Sequence, residues 1–329
     1  MSFISVSLDI CESTKIKSVM TNKYKNNPEK LCECYKKYIE LINGIEIGVF
    51  SSLKNEGIIW DKDLFVIKNI GDEVWFSIYI EQEDIKNKIR FNNKVIIILK
   101  SLLNKLFGRL DLNIGFDKYE KDGVIHYKDS LYFPDIVFKV YIDYLDNNID
   151  LSDIKLDFYK KNYENFYVGH DYGKEIDKTD YDEKYKEFIS RFNVGNYIIK
   201  NGKEGVAHRF DPIGYDVDRF FRCAKYALPG IIAIGENLIN NLYKNDINNN
   251  SLNFYYGDNH SQKIENYNVY VKNIPKGEMN GIDEDYKIYY LFDNLIMDSR
   301  YKNANYSYCK TKEGLEKLGY DFYSYQGEK

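Results

Sequence analysis

The chain has 329 residues, of which 44% are hydrophobic and 16% aromatic, enough apolar side chain for a sizeable core. Its formal net charge is −5 and no basic stripe stands out, so a nucleic-acid partner is not predicted. Five cysteines without framework spacing favour a reducing compartment, and no apolar run has the length of a membrane span, so we expect a cytoplasmic protein without a membrane partner.

The first half of the chain alternates strands and helices. The elements expected in chain order are a strand, a helix, a hairpin, a helix and a strand, at residues 1–10, 28–43, 64–69 with 73–80, 84–108 and 135–145. A further helix is expected to start near Ser13 or Thr14, either of which can cap it. This order is the split βαβ pattern of a ferredoxin-like sheet with helices on one face.

The second half of the chain is less regular. Residues 146–205 are polar and aromatic and are interpreted as an insertion, with one helix expected at 180–192. An amphipathic helix follows the turn "DPIG", and the runs "YNVYVKN" and "YKIYYLFD" predict a terminal antiparallel pair. We therefore expect one α/β domain over residues 1–296 and a Tyr-rich tail over 297–329.

Two aspartates each follow an apolar strand. Asp9 follows "MSFISVSL", and Asp72 lies at the hairpin turn in "KNIGDE". In a split βαβ sheet the first strand lies beside the hairpin, so the two carboxylates are expected at one edge. Two hard oxygen ligands that leave positions for phosphate and water are typical of a Mg²⁺ or Mn²⁺ site for a nucleoside triphosphate. Either aspartate alone is better explained as a strand-end or turn residue; the pairing favours a metal site.

A third stretch contributes a cation. Gly214, Val217, Asp218 and Arg222 form G-x-x-V-D-x-x-x-R, and at helical spacing the last two share a face. The planar fork of an arginine there suits a transferring phosphoryl group. The alternative is an intrahelical salt bridge on a solvated face. The backbone amides of residues 11–14, at a helix start, are candidates for binding phosphates.

These three stretches resemble the signature of the class III nucleotidyl cyclases. That signature has an aspartate at the end of the first strand, K-x-x-G-D in the hairpin, and D-x-x-G-x-x-V-N-x-x-x-R near the last helix. The resemblance covers about residues 3–240. It implies that residues 1–296 form a catalytic domain of the α+β class, a ferredoxin-like βαββαβ cyclase fold with an insertion and a C-terminal antiparallel extension.

The resemblance also implies a cofactor and a reaction. Asp9, with the carbonyl of Ile10, and Asp72 would bind two divalent ions, Mn²⁺ or Mg²⁺. The implied reaction is attack of the ribose 3′-hydroxyl of a nucleoside triphosphate on its own α-phosphorus, with release of pyrophosphate.

The remaining roles fall on residues of a second subunit. Lys68 and Asp211 would bind the base, Asp218 would contact the ribose, and Arg222 would stabilise the transition state. In the family each site is shared across a head-to-tail homodimer. One protomer supplies the metals, and the other supplies the base, ribose and arginine contacts.

One departure from the family pattern narrows the resemblance. Asp218 replaces the family's asparagine and is followed by "RFFR" in place of small residues. This combination, with the long insertion before it, resembles the bacterial pyrimidine cyclases of antiphage systems, which make cyclic UMP or cyclic CMP. In those systems the product acts on a separate effector that kills the cell. The resemblance implies a pyrimidine nucleoside triphosphate as the substrate, and we expect UTP in preference to CTP.

The chemistry of the base edge leaves the choice of nucleotide open. A donating Lys68 beside an accepting Asp211 suits uracil, cytosine and adenine, and suits guanine worst. Phe65, Trp75 and Phe221 are candidates for narrowing the pocket, although core packing explains each of them better. Two alternatives remain: an adenylate cyclase that makes cyclic AMP, and a catalytically inactive dimer that senses nucleotides.

Overall fold

The structure is a computed structural model, and it describes most of the chain. The described residues are 2–58, 64–70, 72–106, 110–134, 136–146, 192–200, 204–212, 215–229, 231–242, 247–248, 251–256, 263–292 and 321–322.

Within these residues the chain forms strands and helices at the following positions. The helices are α1 (Ser13–Tyr24), α2 (Pro28–Asn55), α3 (Gln82–Lys86), α4 (Lys88–Leu106), α5 (Tyr215–Ala224) and α6 (Glu236–Asn241). The strands are β1 (Ser2–Ile10), β2 (Leu64–Ile70), β3 (Glu73–Ile80), β4 (Leu112–Lys121), β5 (Val124–Phe133), β6 (Phe138–Asp146), β7 (Phe192–Lys200), β8 (Glu204–Pro212), β9 (Ile232–Gly235), β10 (Ile247–Asn248), β11 (Ser251–Tyr256), β12 (Lys263–Ile274), β13 (Tyr286–Phe292) and β14 (Asp321–Phe322).

The centre of the main sheet is the split βαβ arrangement expected from the sequence. Its strands lie in the order β6-β1-β3-β2, and each neighbouring pair is antiparallel. Leu8 of β1 pairs with Val74 of β3 on one side and with Val140 of β6 on the other. The fold class is therefore confirmed: a mixed α/β fold with a mostly antiparallel sheet.

The sheet continues beyond β6. Strand β9 joins β6 in parallel, and β13, β12, β11 and β10 follow with antiparallel pairing, while β14 pairs with β12. The expected terminal antiparallel pair corresponds to β12 and β13. The hairpins β4–β5 and β7–β8 form separate two-stranded sheets.

The larger hydrophobic core lies between the sheet and three helices. Helices α1, α2 and α4 contribute buried side chains such as Met20, Val49 and Leu99. They pack on alternate residues of the central strands, including Val6 of β1 and Phe76 of β3. These strand residues share one face because successive side chains of a strand point to opposite sides.

A second core covers the other face of the sheet, which corrects the expectation of helices on one face only. Trp75 of β3 and Tyr141 of β6 are fully buried there beneath Phe220 of helix α5. The physical reason is that this face also carries large apolar side chains, which require cover from water. Helix α5 supplies it with Val217 and Phe220, one helical turn apart on the same side.

Several local expectations change. Helix α2 continues to Asn55 rather than ending at residue 43, and the hairpin β4–β5 was not predicted. Neither Ser13 nor Thr14 caps α1; the cap is Glu12, whose backbone is left-handed (φ 55°) and whose side chain makes no capping hydrogen bond.

The expectations for the insertion and the tail are mostly untested. The helix expected at 180–192 lies outside the described residues, except that Phe192 begins strand β7. The division into a domain at 1–296 and a tail at 297–329 remains a prediction. In the described part of the chain, no helix combines the length and apolar character that a membrane span needs.

Candidate functional site

Asp9 and Asp72 lie at the same end of the central sheet. Asp9 is the penultimate residue of β1, and Asp72 occupies the turn that leads into β3. One step beyond the Leu8–Val74 pair, the two strands continue to Asp9 and Glu73. The pairing register of β1 with β3, which follows from their apolar patterns, thus brings acidic residues together at this strand end.

The two aspartates are close enough to affect each other's ionisation. Burial raises the pKa of Asp9 to about 6, and the negative charges of Asp72 and Glu73 add to this rise. The ammonium of Lys139, 3.9 Å from Asp9 Oδ2, opposes the rise in pKa, as does the more weakly acting Lys17. The strand end therefore carries an excess of negative charge that a further cation would relieve.

Asp72 is held by a lysine through one oxygen only. Lys17 Nζ, on helix α1, lies 3.0 Å from Asp72 Oδ1, while the buried Oδ2 has no hydrogen-bond partner among the described residues. Lys17 also lies over the ring of Tyr38, 5.9 Å from its centroid. Burial raises the pKa of Tyr38, and the charges of Asp72 and Asp9 add to that rise. The side chain of Asp72 thus offers one buried oxygen that a metal ion can coordinate.

Sequence reasoning missed three charged residues of this cluster. Glu73 accepts a hydrogen bond from Ser7 Oγ over 2.6 Å. Lys17 forms an ion pair with Asp72, and Lys139 forms one with Asp9. The signal for Glu73 was present, since it follows Asp72 directly in "GDE". Lys17 carried no such signal, because its contact depends on how α1 packs beside the hairpin turn.

The residues present fit a divalent cation. Among the described residues, no group of three or more His, Cys, Asp and Glu side chains converges as a complete metal cluster. Two interacting carboxylates and one unpartnered buried oxygen are nevertheless hard ligands of the kind that Mg²⁺ and Mn²⁺ prefer, with positions left for a substrate. The carbonyl of Ile10 belongs to the last residue of β1, beside Asp9.

The chain between Asp9 and helix α1 is a tight connection. Cys11 donates its backbone N–H to the carbonyl of Val137 over 2.9 Å, and α1 starts at Ser13. The N-terminus of this helix lies a few residues after the candidate metal ligand, where the helix dipole favours negative charge. The amide of Cys11 is used within the fold. Binding of phosphate by the amides of residues 12–14 stays a prediction.

For the two predicted base-binding residues, Lys68 and Asp211, the structure describes the backbone positions. Lys68 lies in β2 opposite Trp75, directly after a β-bulge that begins at Val66. Asp211 lies in β8 opposite Asn193, in the separate hairpin β7–β8. Their roles stay predictions.

The third motif lies on helix α5. Asp218 is exposed and Arg222 is half-buried. Among the described residues no ion pair joins them, so the intrahelical salt bridge considered above is not formed. The guanidinium of Arg222 lies beside Gly281 in the loop of residues 275–285, which we call the β12–β13 loop. Gly214 lies outside the described residues.

Two of the three aromatic residues considered for narrowing the pocket, Trp75 and Phe221, pack in the second core, as core packing predicts. Trp75 is buried, its ring is stacked with Phe220 at 6.0 Å, and it meets Phe221 edge-on at 4.4 Å. The side chain of Phe65 lies outside the described set.

No protein-family model and no curated protein sequence matches the chain. Among solved structures, the guanylate cyclase domain of RhGC from Catenaria anguillulae in complex with GTP has 9% identity and a TM-score of 0.40, covering 88% of this chain and 96% of that one. The adenylyl cyclase CyaB from P. aeruginosa has 11% identity and a TM-score of 0.39, covering 89% and 94%. An adenylate cyclase from Trypanosoma brucei has 9% identity and a TM-score of 0.37, covering 88% and 89%. Similarity at this level assigns neither a family nor an activity to this chain.

Proposed function

We propose that the protein is a nucleotidyl cyclase that converts a pyrimidine nucleoside triphosphate into its 3′,5′-cyclic nucleotide and pyrophosphate, with UTP preferred to CTP. The observation that carries the proposal is the pair of interacting carboxylates at one strand end, Asp9 and Asp72. The buried Oδ2 of Asp72 has no partner among the described residues. A buried carboxylate oxygen without a hydrogen-bond partner is costly, and a divalent ion bound with a triphosphate would offset that cost.

In this proposal Asp9, the Ile10 carbonyl and Asp72 hold two Mn²⁺ or Mg²⁺ ions. When bound, such ions acidify a hydroxyl and neutralise charge on phosphate oxygens. The chain's own contribution is to position the triphosphate: backbone amides at the start of α1 would donate hydrogen bonds to phosphate oxygens, and Lys139 beside Asp9 adds positive charge.

Arg222 is proposed to act on the substrate of the partner subunit. Arg222 is half-buried, and its guanidinium has no carboxylate partner among the described residues, so it is available to a phosphoryl group. Asp218, exposed on the same helix, would contact the ribose, and Lys68 and Asp211 the base. The protein would thus act as a homodimer with composite sites.

The preference for a pyrimidine and the biological role rest on the sequence motif around Asp218. We propose that the product is a second messenger in antiphage defence, made in the cytoplasm and read by a separate effector. The edge chemistry of Lys68 and Asp211 also suits adenine, so an adenylate cyclase is the second candidate.

The experiment that tests the proposal is incubation of the purified protein with each of the four triphosphates and Mn²⁺. Pyrophosphate release and the cyclic product are measured. We expect cyclic UMP as the main product, and no product from Asp72→Ala, which should stay folded. Cyclic AMP as the main product would favour the second candidate. No product from any triphosphate, with nucleotide still bound, would favour a sensing dimer.

A further inference from the structure

A cluster of polar side chains is buried between the sheet and helix α5, away from the strand end that holds Asp9. Its centre is Asp143 of β6, which is fully buried. Asp143 pairs with Ser5 across the sheet, and Ser5 in turn hydrogen-bonds to Ser77 over 2.6 Å. The proposed reaction uses none of these groups, so their burial needs an explanation.

Four donors converge on the carboxylate of Asp143. Its Oδ1 accepts the backbone N–H groups of Tyr144 and Leu238, at 2.8 and 3.1 Å. Its Oδ2 accepts the hydroxyls of Tyr141 and Tyr286, at 3.1 and 2.7 Å. Each oxygen therefore has two donors, and these come from strands β6 and β13 and from helix α6. A carboxylate saturated in this way fixes the relative positions of those elements.

Tyr286 connects this carboxylate to helix α5. Its hydroxyl donates to Asp143 and accepts the backbone N–H of Asn237 over 3.1 Å. The face of its ring lies 4.9 Å from the guanidinium carbon of Arg219, which is buried on α5. Arg219 also contacts the ring of Tyr215 at 5.6 Å and forms an ion pair with Glu284. One tyrosine thus joins a buried anion to a buried cation.

Helix α5 also contacts the β12–β13 loop. Glu284, the partner of Arg219, belongs to this loop, and Cys223 of α5 contacts Met279 of the loop with 3.6 Å between the sulfurs. The guanidinium of Arg222, three residues after Arg219, lies beside Gly281 of the same loop. A displacement of α5 would therefore move Arg222 together with the loop.

We propose that Asp143, Tyr286 and Arg219 form a positioning network that orients helix α5 over the sheet and so places Arg222 for its part in the reaction. The inference deepens the proposed function and rests on it for the role of Arg222. None of the three residues touches substrate in this account. They act through the helix, as buried supports of a residue that must be held within a fraction of an ångström.

The test uses a reporter that does not depend on activity. The chain has two tryptophans, Trp60 and Trp75, and Trp75 is packed against Phe220 and Phe221 of α5. In a Trp60→Phe background, the fluorescence of Trp75 reports the seating of α5. Tyr286→Phe keeps the ring beneath Arg219 and removes only the hydroxyl. Tyr290→Phe is the matched control, since Tyr290 is equally buried on the same strand and its hydroxyl bonds to the carbonyl of Tyr226 instead.

We expect Tyr286→Phe to change the emission of Trp75 and to lower kcat by about tenfold or more, with KM within about twofold, because a misplaced Arg222 weakens the transition state more than the bound substrate. Tyr290→Phe should change neither quantity. The inference is overturned if Tyr286→Phe keeps the emission and the kcat of the parent protein, or if Tyr290→Phe causes the same changes. If the parent protein has no cyclase activity, the proposed function fails, and the emission of Trp75 alone decides whether the network seats α5.

Discussion

Lys17 Nζ lies 3.0 Å from Asp72 Oδ1, so an ammonium group of helix α1 holds one oxygen of the carboxylate proposed to bind metal. The other oxygen of Asp72 is buried and unpartnered among the described residues. Lys17 therefore neutralises part of the negative charge of Asp72 that would attract a divalent cation. The two cations would compete for the same carboxylate.

We expect Lys17→Met to tighten the binding of Mn²⁺ by about two- to fivefold, the range given by the usual strength of a partly exposed ion pair. The measurement is a calorimetric titration with Mn²⁺ in the absence of nucleotide. Lys15→Met is the control, because Lys15 is exposed and, among the residues that the structure describes, its ion pair is with Glu12. Unchanged or weaker Mn²⁺ binding in Lys17→Met would show that Lys17 does not compete for Asp72.

Gly235 makes room for the carboxylate of Asp143. A Cβ atom at Gly235 would overlap the side-chain atoms of Asp143. We expect Gly235→Ala to lower the free energy of unfolding by about 3 kcal/mol, because the buried network leaves the carboxylate no place to move. In contrast, a Cβ atom at Gly44 in helix α2 would have no neighbouring atom within 4 Å. Gly44→Ala should therefore raise the free energy of unfolding by about 1 kcal/mol, because alanine has the higher helix propensity. Urea unfolding measures both; equal effects of the two substitutions would contradict the packing described here.

The stability of the protein should depend on the ionisation of Asp143. Burial raises the pKa of Asp143 to about 6, although the Tyr286 hydroxyl and the charge of Arg219 oppose the rise. Tyr141 and Cys223 also face this group, and burial raises the pKa of each. Since the pKa of Asp143 is higher in the folded than in the unfolded state, its contribution to stability is present below about pH 4 and is lost as the pH rises through about 6.

The comparison of wild type with Asp143→Asn isolates this effect. We expect the stability of wild type relative to the variant to fall between pH 4 and pH 7, by at most about 3 kcal/mol. The measurement is urea unfolding of both proteins across this range. A difference in stability that stays constant with pH would mean that Asp143 is already charged at pH 4 in the folded protein.

The sequence predicts the central fold because its signals are local. Alternating apolar residues before Asp9, and two such runs around the Ile70-Gly71 turn, specify strands whose order follows from the βαβ pattern. The hairpin β4–β5 was missed because many residues near its tip are polar or exposed and give no apolar alternation. The second core was missed because the sequence does not show which helix packs on which face of the sheet.

The site could be predicted only in part, for a similar reason. The strand-end positions of Asp9 and Asp72 follow from the sequence pattern, whereas the contact of Lys17 with Asp72 depends on the packing of α1 beside the turn. The network around Asp143 has no signal at all, since its members are separated by up to 143 residues along the chain. The metal, base and ribose roles of the predicted residues remain predictions.

The most direct test of the central claim is to mix two inactive variants, Asp72→Ala and Arg222→Ala, and measure cyclic nucleotide formation from UTP with Mn²⁺. If Asp72 binds metal in one subunit and Arg222 acts from the other, each mixed dimer keeps one intact site. Random mixing should then restore about a quarter of wild-type activity, since half of the dimers are mixed and each has one of two sites. A mixture no more active than either variant alone, beside an active wild type whose subunits exchange, would contradict the composite site.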